Sequence, residues 1–201
     1  SAPETLVLDR NVAVTDKRAS IKSSSIKGSI NLKGGRLDDI TLLNYKVSVK
    51  EDADYVDVLN PKNTKDAYFV DFDILCPNKT DLPKKDSIWH LKGNETLTAQ
   101  TPVTIYFEND QGVRFERIFS IDENYLITVV NKVVNNSDEN ICIQQKAFIQ
   151  RNKPKTEGFF ILHEGALGFL DNHLVERDYD KLADNKKEDI TSKGGWIGFT
   201  D

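Results

Sequence analysis

Val103-Thr104-Ile105-Tyr106-Phe107-Glu108, then Asn109-Asp110-Gln111-Gly112, then Val113-Arg114-Phe115-Glu116-Arg117-Ile118-Phe119 is the stretch that decides the fold. Val103, Ile105 and Phe107 alternate with Thr104, Tyr106 and Glu108, a period of two that places the apolar set on one face of a strand. Asn-Asp-Gln-Gly is a turn composition. Val113, Phe115 and Phe119 then resume on one face, with Arg114 and Glu116 on the other. Asp122-Glu123-Asn124 makes a second turn before residues 125–134. Residues 135–140, Asn-Asn-Ser-Asp-Glu-Asn, make a third before residues 141–149. The pattern predicts a four-strand antiparallel meander, and with it an all-β sandwich rather than an α/β fold.

The same period runs upstream. Tyr68, Val70, Phe72 and Ile74 fall on one face and Asp71 and Asp73 on the other, as in a half-buried strand. Gly28-Ser29-Ile30-Asn31-Leu32-Lys33-Gly34-Gly35-Arg36 reads as a hairpin, because Gly34 and Gly35 can take positive φ without steric cost. Lys33-Gly34-Gly35-Arg36 is superficially like a phosphate loop, but no Gly-Lys-Ser/Thr and no helical pattern follow it. Residues 41–49 continue the hairpin's return strand. Near the other end, Gly194-Gly195-Trp196-Ile197-Gly198-Phe199 reads as the start of a strand. Residues 175–187 are the one helix candidate; they lack an apolar stripe and read mostly as loop with a short strand. Little helix is expected. Residues 1–17 are weakly periodic and read as a tether; residues 18–201 show no break in composition and read as one domain.

Of the 201 residues, 38% are hydrophobic, and the formal net charge is −5. Nothing in that balance gathers polyanions, so nucleic acid is not an expected partner. No apolar run approaches the ~20 residues of a spanning helix. Methionine is absent, which suggests a processed or excised piece. Cys76 and Cys142 lie in apolar contexts without a C-x-x-C or a zinc spacing; they read as two buried thiols, with a disulfide open if the compartment is oxidising.

Candidate chemistry is sparse. His163-Glu164 pairs an imidazole with a carboxylate, but it follows the strand expected over 159–162 and reads as that strand's exit turn. Asp38-Asp39, Asp52 with Asp54, and Asp184 with Glu188 and Asp189 lack calcium-loop spacing and read as solvated faces. No residues are assigned to catalysis or to a metal, and no cofactor is expected. Trp89 and Trp196 are candidate cleft aromatics, able to stack on a sugar if exposed, although packing is the commoner fate of a strand tryptophan. Phe169, Leu174 and Tyr179 are candidate partner contacts, with Arg177 and Lys181 as a charged rim. Their spacing lacks a sustained period, so they either cover an end of the sandwich or stand exposed for docking.

Several of these motifs, in this order, resemble the periplasmic domain of the bacterial membrane protein insertase YidC. The resemblance is carried by residues 18–40 with their Gly34-Gly35 turn, by Ser87-Ile88-Trp89, Leu97-Thr98 and Thr101-Pro102-Val103-Thr104, by Gln111-Gly112-Val113-Arg114-Phe115, by residues 153–165, and by Thr191-Ser192-Lys193-Gly194-Gly195-Trp196-Ile197-Gly198. It implies a β-supersandwich of the galactose mutarotase type, truncated at its C-terminal end, with residues 1–17 as the tether from a first membrane span. It implies the periplasmic side of the bacterial inner membrane. It implies a non-catalytic contact module whose parent works on nascent membrane proteins, alone or with the Sec translocon. The competing reading is a mutarotase-like carbohydrate-binding protein or epimerase. Such enzymes need a histidine acid and a carboxylate base in one cleft, and His90, His163 and His173 lack the expected flanks.

Overall fold

The computed structural model describes residues 7–77, 81–152, 163–184 and 187–200. In chain order the elements are α1 (Arg10–Ala13), β1 (Arg18–Lys22), β2 (Ile26–Asn31), β3 (Arg36–Lys46), β4 (Tyr55–Leu59), β5 (Tyr68–Leu75), β6 (His90–Lys92), β7 (Thr96–Leu97), β8 (Val103–Glu108), β9 (Val113–Ile121), β10 (Ile127–Asn135), β11 (Gln144–Arg151), β12 (Gly165–Leu170), β13 (His173–Asp178), α2 (Tyr179–Asp184) and β14 (Gly195–Thr200). The fold is all-β, with antiparallel pairing throughout except between β1 and β7. Contacts divide the chain into two compact units, Ser1–Arg151 and Asn152–Asp201. Among the described residues no helix is long and apolar enough to cross a membrane.

In the first unit, a seven-stranded sheet runs β11-β5-β3-β2-β1-β7 with β4 beside β3, and a four-stranded sheet runs β10-β9-β8-β6. Their inner faces share one core. Ile21, Ile30 and Leu37 of the larger sheet meet Ile105, Phe115 and Phe119 of the smaller. The alternation in β8 and β9 dictates this, since Val103↔Phe119, Ile105↔Arg117 and Phe107↔Phe115 are direct cross-strand pairs on that inner face. The expected four-strand meander is corrected at its last member. β8, β9 and β10 are consecutive neighbours, but β11 crosses to pair with β5 in the other sheet. Alternation assigns a strand a face; it does not assign it a neighbour.

The Gly34-Gly35 hairpin forms as expected. Asn31 pairs with Arg36 across the loop, and the glycines take φ of 80° and 63°. Gly35 has a second reason to be glycine: a Cβ there would lie 2.7 Å from Arg117 Nη1. Arg117 is fully buried, although it stands among apolar inward positions. Its guanidinium donates to the carbonyls of Gly35 (2.7 Å) and Phe72 (3.1 Å) and to Asn131 Oδ1 (2.7 Å), and lies over the rings of Trp89 and Phe72. One side chain of β9 thereby ties the smaller sheet to the hairpin and to β5. Burial pushes its pKa down to about 10, so the cation persists at neutral pH.

The reading of Asp38 and Asp39 as a solvated pair is corrected. Both are buried on the outer face of the larger sheet. Arg18 Nη2 donates to Asp38, and Arg10 Nη2 donates to Asp39 at 2.6 Å while its Nε reaches Asn60 at 2.9 Å. Asp71, expected on a solvent face, is also buried, held by Arg36 at 2.6 and 3.1 Å. The outer face of β1–β5 is thus a layer of paired charges, because a buried carboxylate persists only with a cation and hydrogen bonds around it. Residues 8–16 cover part of that layer. Leu8 bridges Thr64, Arg10 reaches Asp39, and Asp16 accepts from Asn31 at 3.2 Å. The described part of the expected tether is therefore bound to the sheet.

Glu116 points to the outer face of the smaller sheet yet is nearly covered. It accepts from Lys92 at 2.6 Å, and this hydrogen bond outweighs burial and holds the carboxyl below its ordinary 4.5. A folded value depressed below the unfolded one contributes stability that is present above the unfolded value and lost as pH falls through the folded value. Glu116→Gln is expected to lower stability at neutral pH and to flatten the acid limb of the stability profile below about pH 4.5. Urea midpoints across that range check it; parallel profiles for variant and wild type would refute it.

Candidate functional site

Of the candidate partner contacts, Phe169, Leu174 and Arg177 lie on the three-stranded sheet of the second unit, order β13-β12-β14, and Tyr179 and Lys181 on α2. Asp171 and Asn172, with φ of 47° and 66°, make the two-residue loop between β12 and β13, where Leu170 pairs with His173. Positive φ at both central positions matches the right-handed twist of the flanking strands, and Asx residues tolerate it better than other side chains. On the other side, Leu170 pairs with Gly195, whose φ is 127° and whose Cβ, were there one, would overlap the Phe169 carbonyl oxygen. Gly195 therefore lets β14 close against β12 before Trp196 begins.

Register then places three large apolar side chains in line. Phe169 is directly opposite Leu174 on one flank and Trp196 on the other. Opposite residues of antiparallel strands share a face, so Leu174, Phe169 and Trp196 form a row across the sheet. All three are exposed, by 57%, 39% and 52%. Tyr179, at the start of α2, is half-buried and stacks on Phe199 at 6.2 Å and 8°. It stands apart from the row as a ring pair.

The expected charged rim is internally paired. Arg177 grips Glu188 with both Nε and Nη2, at 2.8 and 2.6 Å, and Lys181 holds Asp178 at 3.0 Å. Each carboxyl is held below its ordinary range, Glu188 by the Arg177 hydrogen bonds and Asp178 first by Lys181 and then by His163. Arg177 and Lys181 thus present neutralised pairs rather than free cations. Residues 175–187, expected mostly as loop, include the end of β13 and the short helix α2. A six-residue helix is too short to show an apolar stripe.

The remaining candidates lie apart. Trp89 is 2% exposed, in the core under Arg117, and cannot stack on a ligand. His90 neighbours Tyr106, His163 bonds Asp178 and the Ala166 carbonyl, and His173 meets the Asp171 carbonyl. These contacts of the three histidines have no residue in common. His163 precedes β12; the strand expected over 159–162 lies outside the described residues. Among the described residues no three His, Cys, Asp or Glu side chains converge as a metal set. Cys76 and Cys142 are free, and neither is buried as expected: Cys76 is half-buried and Cys142 exposed.

A second exposed cluster escaped the sequence reading: Tyr45, Val47, Val49 and Tyr55 around the β3–β4 connection, with Tyr125 and Leu126 of the β9–β10 turn. Its signal in the sequence is the odd-numbered apolar series Tyr45, Val47, Val49, a pattern that an ordinary strand continuation also shows.

Comparison with known proteins gives one family. The family described as YidC periplasmic domain matches residues 18–201. The chain is 36% identical over 186 residues to a membrane protein insertase YidC of Pelagibacter ubique (strain HTCC1062), covering 92% of this chain and 33% of that protein. It is 34% identical over 206 residues to the insertase of Beijerinckia indica subsp. indica, covering 100% and 34%. It is 38% identical over 188 residues to that of Rickettsia felis, covering 92% and 33%. The chain thus spans about a third of the length of these curated relatives.

Proposed function

Because the chain belongs to the YidC periplasmic domain family, matched over residues 18–201, we propose that it is the non-catalytic contact domain of a membrane protein insertase. The domain stands on the periplasmic side of the bacterial inner membrane. Its parent acts on nascent membrane proteins, and Sec translocon components are the partners the domain itself meets. The observation that carries the contact role is the row Leu174–Phe169–Trp196. It is an aromatic and aliphatic strip on a small sheet; Glu176 and Asp178, the latter paired with Lys181, follow Leu174 on the same face of β13, while Arg177 alternates to the other face. Apolar anchors within a polar border are the composition of a protein-binding patch. The carbohydrate alternative has less support: Trp196 is exposed, but Trp89 is buried, and His90, His163 and His173 make their contacts with different residues.

The test is a triple variant of the intact parent, Phe169→Ser, Leu174→Ser and Trp196→Ser. Truncating the anchors of an interface costs about 2 kcal/mol or more each at a hot spot. Recovery of Sec components with the purified parent is expected to fall at least several-fold, with the strand signature of the circular dichroism unchanged. Undiminished recovery of all Sec components would refute the assignment of this surface.

A further inference from the structure

The first unit carries a second surface whose chemistry points elsewhere. β2 accompanies β3 only as far as Leu42, opposite Ile26, and Leu43 N–H still donates to the Ser25 carbonyl. Beyond that, β3 has only β4 beside it, through Lys46↔Tyr55 and a Val47 N–H bond to the Asp54 carbonyl at 2.9 Å. Residues 44–55 are therefore a two-stranded ribbon running past the sheet. An isolated ribbon of this kind is marginal in water and needs support. Tyr125 supplies it. Its hydroxyl accepts from Asn44 Nδ2 at 3.0 Å, and its ring lies 6.1 Å from that of Tyr45. Tyr125 holds φ at 72°, a left-handed conformation that costs a bulky residue about 1 kcal/mol or more and persists only where neighbours fix it.

These two projections bring Tyr45, Val47, Val49, Tyr55, Tyr125 and Leu126 to the surface. Val49 is 106% exposed, more open than in the extended reference chain, so it stands on a convex tip; Val47 and Leu126 are 66% and 63% exposed. Single exposed apolar residues are ordinary, but a group on adjoining projections is not. We infer that this tip docks on a lipid bilayer, with Val47, Val49 and Leu126 entering the interface and the tyrosine rings lying at headgroup level. Convexity favours a bilayer, because sites for small molecules and peptide side chains are concave. Tyrosines suit the headgroup layer, where one end of the ring is apolar and the other wet. Lys27 and Lys46 hold their ammonium groups 5.7 and 6.0 Å from the Tyr55 ring, leaving their stems as apolar cover, and the Lys46 ammonium also donates to the Glu51 carbonyl. Glu51, Asp52 and Asp54 at the ribbon's end offset these lysines, so apolar insertion rather than attraction to anionic lipid drives the contact. The inference rests on the proposed membrane-side location, where attachment to a membrane-embedded parent makes even weak insertion effective.

The experiment uses the 201-residue chain with Cys76→Ala and Cys142→Ser, and an environment-sensitive fluorophore on Val49→Cys, Leu126→Cys or Asp138→Cys. Asp138 lies beyond the other end of β10. Vesicles of phosphatidylcholine, with or without phosphatidylglycerol, are expected to shift emission to the blue at positions 49 and 126 and not at 138. Nitroxide-bearing lipid should quench the same two positions. In the otherwise unlabelled chain, Val47→Asp, Val49→Asp and Leu126→Asp together are expected to lower vesicle flotation roughly tenfold, the equivalent of about 1.4 kcal/mol, with an unchanged melting curve. No shift at positions 49 and 126 in lipid excess would overturn the inference. So would an equal shift at 138, or binding confined to phosphatidylglycerol vesicles and abolished by salt. Sec recovery by the intact parent is read separately, so failure here leaves the contact role standing.

Discussion

Arg117→Ala is expected to destabilise the first unit by roughly 4 kcal/mol. The loss has two sources. The carbonyls of Gly35 and Phe72 lose their donor inside the sandwich, and a buried acceptor left without one costs about 1–3 kcal/mol. The space between Trp89 and Phe72 also empties, adding a cavity. Arg117→Lys keeps the charge but not the planar fork, so it cannot serve Gly35, Phe72 and Asn131 at once; about half the loss should remain. Urea unfolding measures both. An alanine variant within about 1 kcal/mol of wild type would show that the two sheets do not depend on this side chain.

Arg18→Ala is expected to cost about 3–5 kcal/mol, because it leaves the Asp38 carboxylate buried without its cation. Replacing both, as Arg18→Met with Asp38→Leu, should recover most of that loss, since a buried ion pair is worth little more than well-packed apolar groups. The pH dependence gives a sharper check. Burial already raises the Asp38 pKa despite Arg18. A carboxyl raised in the folded state binds its proton more readily there than in the unfolded chain, so stability grows as pH falls through the folded value. The single variant should therefore close part of its gap to wild type as pH falls toward about 4, and a gap that widens would contradict the assignment. This is opposite in sign to Glu116, whose stabilisation disappears at low pH.

Arg117 also shows what alternation can reveal. Residues 113, 115, 117 and 119 share a face in β9, so strand parity alone places an arginine among the core positions, against the usual preference of that residue type. The turns at 109–112 and 122–124 and the Gly34-Gly35 hairpin were legible because turn chemistry is local. The crossing of β11 to the other sheet was not, because strand neighbours are chosen by long-range packing. Asp38, Asp39 and Asp71 misled for a related reason. Their cations, Arg18, Arg10 and Arg36, are 20, 29 and 35 residues away, and no local pattern announces such a partner. Phe169, Leu174 and Trp196 were each singled out from sequence, but their alignment in one row needed the register of three strands. Tyr179 was placed with Phe169 and Leu174 and proves to be a stacking partner of Phe199.

The most direct measurement of the proposed role is site-specific photocrosslinking in the intact parent within native membranes. A photoreactive residue is placed in turn at Phe169, Leu174 and Trp196, with Asp138 as the distant control. Adducts with a Sec component are expected from at least two of the three row positions and none from Asp138. Adducts only to lipid or water from all three, with Sec adducts arising elsewhere on the domain, would contradict that expectation.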